Sequence, residues 1–408
     1  MTKRLMLAGF YAAALVLSAA GSRAFGQWDT DKARLELYGF AMLDMGYQAK
    51  QNDPQWFDVL RPTKLPAYKD EWGKDGRWFA GVRQSRFGVK AYMPTDLGEL
   101  FTVFEFEMFG VGVDAGQTTI RLRHAYGELG QFGAGQYWSP FMDIDVFPNS
   151  VEYWGPNGMV FFRNVQVRWM PVKGDTRLTF ALERPGASGD AGIYSEVAAL
   201  SDVKGRFPLP DLSAEYRWGK EWGYVEGAGI VRYIQWDDLG NERYDLAGDA
   251  IGWGINLSTG INVGESGRIH GQFVYGAGIQ NYMNDATVDV GIKRATTLPS
   301  DTTAAIDIAE ALPMYGVVLF YDHNWTKQWS STIGYSRLET ENSDGQLASA
   351  FKTGQYALVN LLHYPVPNVM IGGELQWGQR ANNSDGWTSD DFRIQFSFKY
   401  NFSHTFGG

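Results

Sequence analysis

The stretch "DFRIQFSFKYNF" near the C-terminus sets Phe392, Ile394, Phe396, Phe398, Tyr400 and Phe402 on one parity and Arg393, Gln395, Ser397, Lys399 and Asn401 on the other. A period of two is a β-strand, here with one oily and one polar, charged face. The pattern recurs in "FTVFEFEM", where Phe104, Phe106 and Met108 oppose Glu105 and Glu107, and in "TTIRLRHAYG", where Ile120 and Leu122 oppose Arg121 and Arg123. In "AIGWGINLSTGIN" the residues Ile251, Trp253, Ile255 and Leu257 oppose glycines, Asn256 and Ser258. A soluble sandwich would bury unpaired Arg and Glu at a cost of several kcal/mol each, whereas a water-filled lumen hydrates them. The oily face then meets lipid.

About sixteen such segments can be counted between residues 33 and 402, and their connections alternate in length. Short turns such as "PTDLG", "PVKG", "GKE", "GESG" and "YPVPN" alternate with long loops such as 47–78, 139–159, 185–210 and 280–312. Tight turns on one side and long loops on the other are the habit of outer-membrane barrels with both termini in the periplasm. The reading is an all-β, transmembrane antiparallel β-barrel of about sixteen strands, porin-like, with one loop folded inward. Parity is poor over 222–236 and 353–363, so Arg232 is left unassigned. Trp138, Trp169, Trp218, Trp222, Trp236, Trp325, Trp329 and Trp377 fall near strand ends, where aromatic girdles belong.

The N-terminus reads as a secretory signal peptide over residues 1–24: Lys3 and Arg4 precede an apolar run from Leu5 to Ala20 and small residues offering cleavage. Residues 25–408 then form a single barrel domain. With no Cys, an exported chain relies on packing, hydrogen-bond closure or oligomerisation rather than disulfides. There are 46 Asp+Glu against 36 Lys+Arg, of which Lys3, Arg4 and Arg23 leave with the signal peptide; this acidity argues against nucleic acid. A mean hydropathy of −0.28 suits a barrel, whose two faces cancel in any average.

Parity assigns Arg86, Lys90, Arg121, Arg123, Arg168, Arg177, Arg217, Arg268, Arg393 and Lys399 to the inner wall, against Glu105, Glu107, Glu183, Glu215 and Glu374. A cation-rich wall in a low-dielectric surround raises the local anion concentration, so anion preference is expected. Compensating wall pairs without selectivity are the alternative. The loop at about 139–159, "SPFMDIDVFPNSVEYWGPNGM", is too rich in large apolar residues to stay exposed and is expected to fold inward as the constriction. Its Asp143, Asp145 and Glu152 either face the Arg86, Arg121 and Arg123 column across the pore, creating a transverse field, or are neutralised by neighbouring arginines and fix the loop.

"GRWFAGVRQSRFGVKAY", "RLRHAYGEL", "GQYWSPFMDIDVFPNSVEYWGPNGMVFFRNVQVRW" and "FRIQFSFKYNF" together resemble the DcaP-like porins. The resemblance covers about residues 77–170 and the last strand closely, and the rest in layout. It implies a homotrimer and passive diffusion of dicarboxylates and other small organic anions. It also implies lumenal roles for Arg86, Arg121, Arg123 and Arg163, the last having outward parity by strict counting. Better-known members carry an N-terminal coiled-coil extension, whereas here few mature residues precede the first strand; a trimer would be held by walls and loops. The chain also continues beyond Phe402 as "SHTFGG", read as a small appendix.

A general or phosphate-preferring porin is the alternative within the class. An outer-membrane barrel hydrolase would need an aligned His and Ser, but His124, His270, His323, His363 and His404 come without a G-x-S-x-G motif. A secreted glycosidase finds its carboxylate pair in Glu105 and Glu107, roughly 7 Å apart on one strand face, though without a cleft. Neither a metal site nor a cofactor is indicated. Lys and Arg at the girdles are candidates for contact with lipopolysaccharide phosphates, and outer-membrane lipid is the expected surround.

Overall fold

The computed structural model describes residues 33–196, 198–240, 245–293 and 309–407; the segment 1–24, read as a signal peptide, lies outside the described residues. Sixteen spanning strands follow in chain order. They are β1 (Arg34–Gln48), β2 (Arg77–Gly81, continued by Arg86–Thr95), β3 (Gly98–Phe109), β4 (Thr118–Leu129), β5 (Phe132–Trp138) and β6 (Arg163–Val172). Next come β7 (Arg177–Glu183), β8 (Asp211–Lys220), β9 (Gly223–Asp238), β10 (Gly248–Val263) and β11 (Gly267–Ala277). β12 (Pro313–Asn324), β13 (Trp329–Thr340), β14 (Phe351–His363), β15 (Val369–Asn382) and β16 (Thr388–Phe406) complete the wall. Each pairs antiparallel with its neighbour in sequence, and β16 returns to β1 from Leu35↔Phe406 to Gln48↔Arg393, closing the barrel. Closure leaves no edge strand, the condition for a sheet in hydrocarbon.

Burial follows parity with the soluble logic inverted. On β10, Ile251, Trp253, Ile255 and Leu257 are exposed while Asn256 and Ser258 are buried. Segment 223–238 alternates cleanly after all, placing Arg232 inside; its small and aliphatic inner residues hid the parity from the sequence. Trp169, Trp218, Trp222, Trp325 and Trp329 are exposed at the short-turn end, as a girdle requires. Trp138 and Trp236 are not girdle residues. Trp138 turns inward against His124 and Phe161, and Trp236 is buried with Leu246 and Val290. The tail extends β16 rather than dangling: His404 pairs with Leu37 and Phe406 with Leu35.

The apolar core sits inside the barrel and is made largely by loops. The loop after β5 runs from Ser139 to Phe162, longer than expected, and contributes Phe141, Val146, Val151, Met159 and Val160, all at most 1% exposed. The first loop adds Val59, Leu60 and Leu65, and the loop after β11 adds Ile279 and Tyr282. Much of the polar inner wall therefore meets loop backbone rather than water. Asn256 Nδ2 donates to Phe141 O at 2.9 Å, Ser336 Oγ accepts from Gly158 N at 2.8 Å, and Gln272 Oε1 accepts from Val160 N at 3.1 Å.

Candidate functional site

The register of β2, β3 and β4 builds the site. Arg86 pairs with Glu107 and Gly88 with Glu105 across β2–β3, while Glu107 faces Arg121 and Glu105 faces His124 across β3–β4. A bulge on β4 at Arg123 breaks the alternation, so Arg123 and His124 both turn inward. Arg123 then reaches both carboxylates: Nε to Glu105 Oε1 at 2.5 Å and Nη1 to Glu107 Oε2 at 2.5 Å. Arg86 stands 3.6 Å from each, Arg121 3.4 Å from Glu107, and Arg163 3.7 Å from Glu107. Arg163 thus enters the cluster despite its outward parity, its guanidinium 5.4 Å over the Trp138 ring. Tyr38 donates to Glu105 at 2.7 Å, and Tyr153 of the loop donates to Glu107.

Four guanidinium groups share two carboxylates, leaving an excess of positive charge in a low-dielectric wall. Arg86 Nε and Arg163 Nη1 are buried without a hydrogen-bond partner among the described residues. The cluster fronts a cavity of about 830 Å³, which Lys399, Arg61 and Arg184 also line. Lys399 Nζ lies 4.1 Å over the Phe40 ring, and Arg61 is held between Trp56 and Trp154 with Nε 2.8 Å from Asp285. Phe147, Tyr153, Trp154, Phe161 and Phe162 form the facing loop wall. The acid at this wall, Glu152, accepts from Leu60 N at 3.0 Å and from Gly155 N. Burial pushes its carboxyl up to about 8, so at neutral pH it does little to cancel the arginines.

The remaining anticipated residues lie elsewhere. Lys90 is lumenal but stands 3.4 Å from Glu36, apart from the cavity. Arg168 is engaged by Trp138 O and Gln166. Arg177 pairs with Glu215 at 3.2 Å and Glu226 at 2.9 Å. Asp143 and Asp145 do not face the Arg86 column: Arg217 binds both at 2.5 Å, and Asp143 also accepts from Tyr224 and Ser258, each at 2.7 Å. They anchor the loop, the second of the two readings. The ten-to-five excess of wall cations narrows, because Asp44, Asp211, Glu226, Asp322 and Asp391 are inner-wall acids that the parity count passed over, as it did the inner cations Arg232 and Arg380. At the cavity the arginines outnumber the carboxylates they share. Arg61 and Arg184 were missed; Val59, Leu60 and Leu65 beside Arg61 carry the same signal, greasy residues in a long loop, that marked 139–159.

A closed sixteen-strand barrel, oily outside and narrowed by inward loops around a polar cavity, defines a porin-like channel of the outer membrane. The chain belongs to the DcaP outer membrane protein family, whose model matches residues 31–402. It is similar in structure to the outer membrane channel DcaP of Acinetobacter baumannii, at 20% identity and TM-score 0.73, covering 92% of this chain and 99% of that one. It is also similar to an anion-selective porin from Comamonas acidovorans, at 12% identity and TM-score 0.57, covering 91% and 100%. The trimer form of OmpT, an outer membrane protein of Vibrio cholerae, matches at 11% identity and TM-score 0.53, covering 91% and 100%. No curated protein matches significantly.

Proposed function

We propose that this chain is a passive diffusion channel of the Gram-negative outer membrane, exported by its signal peptide, assembled as a homotrimer and selective for small organic anions such as dicarboxylates. The carrying observation is the cluster of Arg86, Arg121, Arg123 and Arg163 around only two carboxylates, fronting a cavity that Lys399, Arg61 and Arg184 also line. Fixed cations with unused N–H donors exchange an anion's hydration for charge-assisted hydrogen bonds without binding it tightly. The anion selectivity of the Comamonas porin and the trimer form of OmpT accord with this reading.

A catalytic role finds little support. Glu105 and Glu107 are saturated by arginines, unlike a glycosidase pair. Among the described histidines, His270 is engaged by Asp145 O and Asp322, and His363 stacks on Trp329. The test is a planar-bilayer measurement of reversal potential in a KCl gradient, followed by block with succinate, phthalate, phosphate and a cationic amino acid. Anion selectivity with block by the organic anions is expected; cation selectivity without anion block sinks the proposal.

A further inference from the structure

The outer face of the wall carries a hollow of about 960 Å³ across β11 to β16. On β14, Ala357 faces Tyr335 of β13 on one side and Trp377 of β15 on the other, and Val359 below it faces Ile333 and Leu375. Strands lie ~4.8 Å apart, so the backbones bearing the two rings stand about 10 Å apart with a single methyl group between them. The result is a slot wide enough for an alkyl chain, lined by apolar side chains and open to the hydrocarbon.

Toward the long-loop end the slot meets a polar rim. Tyr335 Oη donates to Gln355 Oε1 at 2.6 Å and Gln355 Nε2 to Gln379 Oε1 at 2.7 Å. Arg337 Nε donates to Tyr315 Oη at 3.1 Å and its Nη2 to Glu339 at 2.7 Å. Ionised groups belong on a lipid-facing wall only at its boundary. Trp329 is a periplasmic girdle residue, and Arg337 and Glu339 follow it on β13 by eight and ten residues. At ~3.3 Å per residue and ~40° tilt these are climbs of about 20 and 25 Å, the height of the ~25 Å apolar band. The rim therefore stands at the outer leaflet. Its internal contacts leave donors over: Arg337 Nη1, the Gln379 amide hydrogens and Lys352 Nζ have no hydrogen-bond or ion-pair partner among the described residues. Lys352 sits at the β14 bulge beside Thr353, which faces Glu339, so two cations stand against one carboxylate.

We infer that this face holds a lipopolysaccharide molecule of the outer leaflet, with an acyl chain in the slot and a phosphate and sugar hydroxyls on the rim. A phosphate takes charge-assisted hydrogen bonds from Arg337 and Lys352 and cancels their excess charge. Sugar hydroxyls both donate and accept, which suits the Gln355 and Gln379 amides. A zwitterionic phospholipid brings its own cation to a rim that is already positive, and so matches it less well. The inference needs only a barrel in the outer membrane and is independent of anion selectivity in the lumen.

The test is native mass spectrometry of chains extracted from outer membranes in mild detergent, with folding confirmed by heat-modifiable gel migration. Arg337→Ala combined with Lys352→Ala removes the cations, and Ala357→Trp fills the slot while leaving the rim intact. Leu257→Trp, at a lipid-facing position 53% exposed on β10, is the control. The native chain and L257W are expected to retain lipopolysaccharide. The double variant should retain less by on the order of tenfold, and A357W should lose it as well. A native chain free of lipopolysaccharide, or retention unchanged by either the double variant or A357W, overturns the proposal. So does phospholipid bound in its place with the same dependence on Arg337 and Lys352.

Discussion

At the residue scale, the site is a matter of which charges are paired and how deeply. Arg123 is buried and supplies the shortest ion pairs to Glu105 and Glu107, while Arg121 has a side chain 29% exposed and a single longer contact. Their removal should separate selectivity from stability. Arg121→Ala should shift the reversal potential toward cations with the barrel intact. Arg123→Ala should strip two buried carboxylates of their nearest cation, at about 3–5 kcal/mol, and lower the temperature at which the folded band disappears on gels. Equal thermal stability of the two variants would refute this division. Glu152 gives a pH prediction. Its folded pKa of about 8 lies above the unfolded 4.5, so the folded chain holds the extra proton between these values and stability falls as pH rises across that window. Above pH 8 the new negative charge at the cavity should reduce anion selectivity. Glu152→Gln should remove that part of the pH dependence in reversal potentials taken at pH 6 and 9.5.

At the scale of elements, the inward loop after β5 is held by the wall at widely separated strands. Arg217 on β8 grips Asp143 and Asp145, Asn256 on β10 holds Phe141 O, and Glu374 on β15 accepts from Ser150 Oγ and Val151 N, each at 3.0 Å. A loop so tied keeps one path, because releasing any tether exposes buried polar groups without partners. Arg217→Ala should free the first half of the loop and leave Asp143 and Glu226 without their common cation. Single-channel recordings should then show larger and noisier openings; unchanged traces would mean that the remaining contacts suffice. The strands themselves were legible from sequence, since inward and outward residues alternate over a few positions. The inward turn of the loop was legible over 139–159, from large apolar residues that an exposed loop rarely carries, though not its full extent to Phe162. The bulge that brings Arg123 and His124 to one face was not, because it exists only in the register between β3 and β4.

For the whole molecule, the lumen is the decisive volume. Three inward loops fill much of it with an apolar core, leaving the cavity beside β1 to β6. Conductance should therefore fall well below that of an unobstructed sixteen-strand barrel. Replacing residues 50–72 by a short Gly/Ser linker should raise it several-fold in bilayers and weaken anion selectivity by removing Arg61; no rise would place the constriction elsewhere. The sequence by itself determined the class of fold: side-chain parity is a property of neighbouring residues, and the charged and oily faces admit only a barrel in lipid. It also determined most of the arginines at the site, which sit on regular strands. Tertiary structure alone decided which charges remain uncompensated. Asp143 finds Ser258 115 residues away, and Arg61 finds Asp285 across 224. Such partners meet only once the barrel has closed and its loops have entered it, so no local period records the charge balance of the cavity.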